Sequence, residues 1–182
     1  MQIKNRIIGI IICILSLSTF NLDVFAEEFN ITALEFSIDQ KNNIVIGEGS
    51  VTVTDSEGKI IKTDKVTYEK SKEFLLVEGS VKVIDIDGSI LKSDRATYDK
   101  KKEIISTYEN SELILKEGYK LTSNKILYHT AEKLISSDQN SILTDNDGNV
   151  VTVNMFQYHL EKNLFSSLGQ IKIIDTNKNK YF

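Results

Sequence analysis

The two histidines of the chain are the first candidates for chemistry, because histidine titrates near neutral pH and commonly binds metals. His129 and His159 lie thirty residues apart, and the same spacing continues toward the amino terminus through Asp39, Glu69 and Asp99. Stacked repeats could bring these side chains into one metal-binding column. A closed metal site needs three or four ligands of defined geometry, and the chain has no third histidine. We therefore expect solvated positions at the starts of turns, with a metal column as the alternative.

Residues 145–149, which read Asp-Asn-Asp-Gly-Asn, superficially resemble a calcium-binding loop. Calcium loops of the EF-hand type place glycine sixth and glutamate twelfth. Here Gly148 is fourth and Phe156 is twelfth, so a tight turn is the expected structure. The chain also has no nucleophile elbow, glycine-rich phosphate loop or His–carboxylate pattern of defined spacing. We expect no enzymatic activity, no metal and no cofactor.

A thirty-residue period, which needs no insertion or deletion, is the strongest signal in the sequence. It is marked by two series of residues, Tyr68, Tyr98, Tyr128 and Tyr158, and Gly58, Gly88, Gly118 and Gly148. A fixed period of this length indicates one supersecondary unit repeated along the chain. Function is then expected to reside in the shape and surfaces of the whole stack.

Each repeat is predicted to contain two β-strands and two turns. Apolar and polar residues alternate up to each tyrosine, which is typical of a strand with one buried face. Asp64, Asp94 and their equivalents coincide with a change in that alternation, and Gly79 interrupts the second strand, so both predict bulges or bends. Asp-x-x-Gly sequences predict hairpin turns. The predicted fold is all-β, built from about five repeats of thirty residues.

The amino terminus has the pattern of a secretory signal peptide. A basic start precedes an apolar run from Ile7 to Leu17, and Val24-Phe25-Ala26 offers small residues for cleavage. We expect a signal peptide at 1–26, with a retained anchor as the alternative, and one β domain at 27–182. Cys13 lies inside the apolar run and is not expected to carry a lipid. The net charge of −4 gives no reason to expect nucleic acid as a partner.

Two recurring strand motifs resemble the OstA-like family of lipopolysaccharide-transport proteins. Ser/Thr-Asp-x-x-x-Tyr-Asp/Glu occurs at 63–69 and 93–99, and Glu-Gly-Ser-Val-x-Val occurs at 48–53 and 78–83. The opening at 31–36 also fits the usual start of that family. The resemblance implies an antiparallel β-jellyroll folded over like a taco, whose apolar inside carries the acyl chains of lipid A, the lipid part of lipopolysaccharide. It also implies a periplasmic location, docking with other jellyroll domains of a transport bridge, and an outer-membrane barrel as a further partner, in cis or in trans.

The resemblance carries over to columns of residues rather than to catalytic groups. The residues expected to line the lipid slot are Val51, Val53, Val66, Tyr68, Val81, Val83, Ala96, Tyr98, Leu113, Ile126, Tyr128, Leu143, Phe156, Tyr158, Ile171 and Ile173. The tyrosines among them could also be plain core residues. Edge docking is expected at Ile31, Phe36, Ile38, Ile171 and Ile173, because unpaired strand edges accept a further strand.

Two alternatives stay open at this point. The chain stops as a sixth repeat starts, at Tyr181-Phe182. Its carboxy end is therefore either an open docking edge of a stand-alone bridge protein or a junction to the missing barrel of a longer, outer-membrane protein. A structural or adhesive β-solenoid on the cell surface would show a similar period, but it would have flat polar ladders and no lipid-sized cleft.

Overall fold

The architecture described here is that of a computed structural model, which describes residues 29–181. The predicted signal peptide at 1–26, Cys13 and the last residue, Phe182, lie outside this range. Among the described residues no helix is long and apolar enough to cross a membrane.

The described chain is built almost entirely from β-strands, and its only helical segment is one 3₁₀ turn at Lys70–Lys72. The fifteen strands are β1 (Phe29–Thr32), β2 (Glu35–Asp39), β3 (Ile44–Asp55), β4 (Ile60–Glu69), β5 (Phe74–Ile84), β6 (Ile90–Asp99), β7 (Ile104–Tyr108), β8 (Ser111–Ile114), β9 (Lys120–Ser123), β10 (Leu127–His129), β11 (Leu134–Ser137), β12 (Ser141–Thr144), β13 (Val150–His159), β14 (Leu164–Ile174) and β15 (Lys180–Tyr181). The all-β prediction is confirmed, and so is the pattern of two strands per repeat.

Bulges divide each long strand into two segments. The pairing register shifts between Glu48 and Val51 in β3, between Lys62 and Lys65 in β4, and between Glu78 and Val81 in β5. In the middle repeats the strand is interrupted outright, as between β7 and β8. A bulge bends a strand and increases its local twist. The aligned bulges therefore form a fold line along which the sheet doubles over.

The fold line separates two half-sheets that face each other. Half-sheet I contains β2, β7, β10 and β11 together with the parts of β3–β6, β13 and β14 next to the turns at 39–44, 69–74, 99–104, 129–134 and 159–164. Half-sheet II contains β1, β8, β9, β12 and β15 with the other parts of the same long strands. Every strand pair is antiparallel, and strands follow one another through both half-sheets as a meander.

The repeat is visible directly in the registers of half-sheet I. Tyr68 pairs with Leu75, Tyr98 with Ile105 and Tyr158 with Phe165. Paired residues in neighbouring strands point to the same face of a sheet. The four periodic tyrosines therefore occupy equivalent strands and face the interior, as the sequence predicts.

Two edges end the meander, and one of them differs from expectation. β1 and β2 both pair only with β3, so the strands from Ile31 to Ile38 form an edge as predicted. At the other end the segment Ile171–Ile174 is not fully free, because β15 pairs with Ile173 and Ile174. The prediction of an uncovered edge at Ile173 is therefore wrong within the described residues. The hairpin turn that starts at Asp175 folds β15 back onto β14.

Candidate functional site

The interior between the half-sheets is lined by four rows of side chains. The residues predicted to line a slot fall in these rows: all but Ile126 pair with another member or with a neighbour on the same face, and Ile126 lies just before β10 and is fully buried. Ile31, Val53, Ile61, Val83 and Leu91 begin the longest row in half-sheet II, which is apolar over its whole length. The alternation of the sequence thus produces a continuous apolar inner face.

The expected slot is closed at Val66, Ala96 and Ile126, because side chains from the two half-sheets fill it. Val66 and Ile126 are 0% exposed and Ala96 is 1% exposed. Phe29 of half-sheet II reaches the rings of Tyr68 and Tyr98 in half-sheet I, with centroids 5.1 and 5.6 Å apart in edge-to-face geometry. These contacts make this part of the interior a packed core. Lipid contact at these residues remains a prediction, and it would require the half-sheets to separate.

Two of the tyrosine hydroxyls join the half-sheets along the mouth. The mouth is the side opposite the fold line, where the turns of the two half-sheets meet. Tyr98 donates a hydrogen bond to Asp55 Oδ2 at 3.2 Å, and Tyr128 donates one to Asp85 Oδ2 at 2.6 Å. In both pairs the partners are 43 residues apart. Burial raises the pKa of both tyrosines, and the hydrogen bond to Asp85 adds to the effect at Tyr128.

Around the first of these hydrogen bonds lies a polar latch made of Asp55, Glu57, Lys59, Tyr98 and Lys100. Lys59, only 1% exposed, places its ammonium 3.4 Å from Asp55 Oδ2, and Lys100 lies 2.5 Å from Glu57 Oε1 across the mouth. Burial opposes the charged form of Lys100, but the interactions with Glu57 and Tyr98 together outweigh burial and raise the pKa of that ammonium. Tyr98 and Lys100 belong to half-sheet I and the other three residues to half-sheet II, so the contacts with Asp55 and Glu57 tie the two half-sheets together. Breaking them would be costly, because a buried charge needs partners.

The fourth periodic tyrosine, Tyr158, lacks this connection, because Leu115 stands where the other repeats have aspartate. The offset that joins Tyr98 to Asp55 would bring Tyr158 to Leu115, which cannot accept a hydrogen bond. The Tyr158 hydroxyl instead donates to Asn163 Oδ1 at 2.6 Å, within its own half-sheet. A cavity of about 230 Å³ lies here, and it is lined by Leu113, Leu115, Tyr119, Leu121, Leu143, Tyr158, Asn163 and Phe165.

A second set of polar groups, which sequence reasoning missed, lies along the fold line. Thr63 Oγ1 donates to the carbonyl oxygen of Glu78 at 2.8 Å, Ser137 donates to that of Lys125 at 2.7 Å, and Ser123 and Ser137 share a hydrogen bond at 3.0 Å. Bulges leave backbone groups without ladder partners, and buried carbonyls need donors. The signal was present in the sequence, since Thr63, Ser93 and Ser123 recur at the period.

The histidine column is not assembled into a metal site. His129 and His159 both pair with Leu134, so one strand lies between them, as it does between the other members, Asp39, Glu69 and Asp99. Neighbouring strands are about 4.8 Å apart, which separates successive members by roughly twice that distance. Within residues 29–181 no group of three or more potential ligands is gathered at one point.

Both ends of the interior expose apolar side chains. At the amino-terminal edge Phe36 and Ile38 are 50% and 64% exposed, and at the other edge Ile171 and Ile173 are 38% and 36% exposed. These residues continue the inner rows, but no further repeat covers them within the described chain. The predicted docking residues are thus at the ends of the fold, with Ile31 more deeply packed against the core.

Comparisons with known proteins support the fold and do not extend beyond it. No protein-family model matches the chain, and no curated protein matches it. A solved structure that is similar is LptH of Pseudomonas aeruginosa, described as the LptA-homologous periplasmic component of the conserved lipopolysaccharide transport device. It matches with a TM-score of 0.51 and 19% identity over 56% of this chain and 76% of that one.

A second match is the TCP10 domain of Danio rerio CPAP, solved with a peptide of STIL. It covers 85% of this chain and 97% of the other at 12% identity, but its TM-score of 0.17 is too low to support any argument. The first match shows that this chain has the β-jellyroll fold of LptA-like proteins. That neighbour is a transport component rather than an enzyme.

Proposed function

We propose that this protein is a component of lipopolysaccharide transport and outer-membrane assembly that shields acyl chains between its half-sheets. The observation that carries the proposal is the continuous apolar inner face, which runs through the repeats and widens into the cavity of about 230 Å³. Apolar burial is non-directional, so such a face can cover a lipid chain without fixing its position. The LptA-like fold supports the same role.

The same proposal assigns a location and partners. A predicted signal peptide and the fold together favour the periplasm, with attachment to the outer membrane through a barrel partner in cis or in trans. Phe36 and Ile38 at one edge and Ile171 at the other would dock with like domains, because exposed edges with apolar rows accept a further strand. The adhesive solenoid has no observation in its favour, since the antiparallel meander folds over an apolar interior.

Photo-crosslinking of the full chain with lipopolysaccharide tests the proposal. A photoreactive residue at Leu143 or Phe165, beside the cavity, is expected to label the lipid at once. Labelling from Val66, Ala96 and Ile126 is expected only as the half-sheets separate, for example on mild warming. The turn residues Lys70 and Lys101 provide controls that should not label. Equal labelling from the controls and the interior would reject an interior lipid path.

A substitution complements the crosslinking. Ile126→Asp places a carboxylate in a fully buried apolar position, where an unpaired charge costs several kcal/mol. We expect reduced lipid loading together with lower stability. Crosslinking yield from Phe165 at a temperature where the variant is still folded separates the two effects. Unchanged labelling there would contradict passage of lipid past Ile126.

A further inference from the structure

The polarity of the mouth changes along the chain at two aligned positions. The position of Asp55 and Asp85 becomes leucine at Leu115, and the position of Lys100 becomes leucine at Leu160. Beside the hydrogen bond between Tyr98 and Asp55, Lys100 and Glu57 join the rims of the two half-sheets. Where Leu115 replaces the aspartate, the cavity lies beneath the rim. The mouth is therefore held by hydrogen bonds where Asp55 and Asp85 face Tyr98 and Tyr128, whereas Tyr158 bonds to Asn163 in its own half-sheet beside Leu115.

The cavity itself favours an uncharged, flexible occupant. All eight side chains that line it are uncharged, and the Tyr158 hydroxyl is already hydrogen-bonded to Asn163. An apolar cavity of about 150 Å³ can take up benzene, so about 230 Å³ accommodates a comparable or larger apolar group. Leu143 pairs with Val151, which in turn pairs with Ile173, a residue that is partly exposed at the end of the interior. A chain longer than the cavity can follow this row.

We propose that the cavity beneath Leu115 binds one alkyl chain of an amphipathic lipid, and that the chain inserts through the mouth between the Leu115–Tyr119 turn and Tyr158. This inference rests on the proposed function and deepens it, because it specifies where a lipid chain first enters the interior. Leu115 is the residue that determines this, since aspartate at the same position would join the rims as Asp55 and Asp85 do. The polar headgroup stays in water outside the rim.

The test restores the aspartate of the repeat. In Leu115→Asp the new carboxylate faces Tyr158 in the same relation that Asp85 has to Tyr128, so a folded variant with a closed mouth is expected. Lys116→Asp places the same side chain one residue later, on the exposed part of the turn. Leu143→Phe fills the cavity without adding charge. The probe is cis-parinaric acid, a fatty acid that fluoresces when its chain leaves water.

We expect the full wild-type chain to bind the probe, Lys116→Asp to bind it equally, and both Leu115→Asp and Leu143→Phe to bind it at least about tenfold more weakly. The inference is overturned if folded Leu115→Asp binds the probe as tightly as the wild type does. If Leu115→Asp does not fold, wild-type affinity in Leu143→Phe overturns it instead. A wild type that binds no probe also overturns it.

Competition with lipopolysaccharide separates this inference from the proposed function. If lipopolysaccharide displaces the probe, both stand. If the probe binds at Leu115 but lipopolysaccharide neither displaces it nor crosslinks to Phe165, the alkyl site stands and the transport role fails. If lipopolysaccharide crosslinks to the interior while Leu115→Asp has no effect, the transport role stands and this site fails.

Discussion

At the residue scale, the tyrosines show both what a thirty-residue period predicts and what it omits. The period predicts that Tyr68, Tyr98, Tyr128 and Tyr158 share one face, and they do. It does not predict that hydroxyls reach aspartates 43 residues away, because that offset depends on how one half-sheet lies across the other. Leu115 is visible in the sequence as a break in the aspartate series. That this break leaves Tyr158 without an aspartate partner becomes clear only from the structure, which gives the 43-residue offset.

The first prediction concerns Tyr128 and alkaline pH. Burial and the hydrogen bond to Asp85 raise its pKa in the folded protein above the ordinary value of about 10. The stability that goes with protonated Tyr128 is therefore complete below pH of about 10 and is lost as the pH rises above it. Tyr128→Phe is expected to lower the free energy of unfolding by about 1–3 kcal/mol at pH 8 and to make its decline above pH 10 shallower.

Urea unfolding at pH 8 and pH 11 measures this effect. Tyr108→Phe removes the hydroxyl of a tyrosine that is 38% exposed, and it serves as the matched control. Little change in its free energy of unfolding is expected at pH 8. An alkaline decline in Tyr128→Phe as steep as in the wild type would show that the Tyr128–Asp85 contact does not couple folding to pH.

At the scale of the elements, the bulges decide whether a flat meander becomes a folded one. Glycine at the bulge and Asp-x-x-Gly at the turns were predicted from sequence, and Gly79 and Gly88 both have positive φ, at 81° and 92°. Only the structure distinguishes their surroundings. A Cβ on Gly79 would lie 3.0 Å from the Cβ of Asp64 and 2.5 Å from its Oδ2, whereas one on Gly88 would meet nothing within 4 Å.

The second prediction uses this difference. Gly88→Ala is expected to cost about 1–2 kcal/mol, the strain of a left-handed backbone alone. Gly79→Ala is expected to cost more than Gly88→Ala by about 1–3 kcal/mol, because Asp64 must also shift in a packed bulge. Chemical denaturation of both variants under the same conditions provides the comparison. Equal losses would mean that the approach of Asp64 to Gly79 does not restrict the bulge.

At the scale of the whole molecule, the two ends of the meander are the places where apolar side chains of the inner rows are exposed. Sequence periodicity predicts that the inner rows continue to the last repeat, but it cannot tell which rows remain uncovered there. The structure leaves Phe36 and Ile38 exposed on the inner side of β2, and it covers only part of the opposite edge with β15. Apolar rows at both ends suit a heterologous, head-to-tail contact between copies, which does not need to close into a ring.

The third prediction tests that contact at the amino-terminal edge. Ile38→Lys puts a charge on an edge strand, a substitution that disfavours strand-to-strand association. Ile38 is already 64% exposed, so the monomer is expected to remain folded while association weakens at least about tenfold. Ile86→Lys supplies the control, because Ile86 is equally exposed at 67% but lies in a turn away from both ends.

Sedimentation velocity over a range of protein concentrations, with and without lipopolysaccharide, measures the change. A wild type that stays monomeric in both conditions, or equal weakening by Ile86→Lys, would remove the edge contact from the transport proposal while leaving the interior lipid path intact.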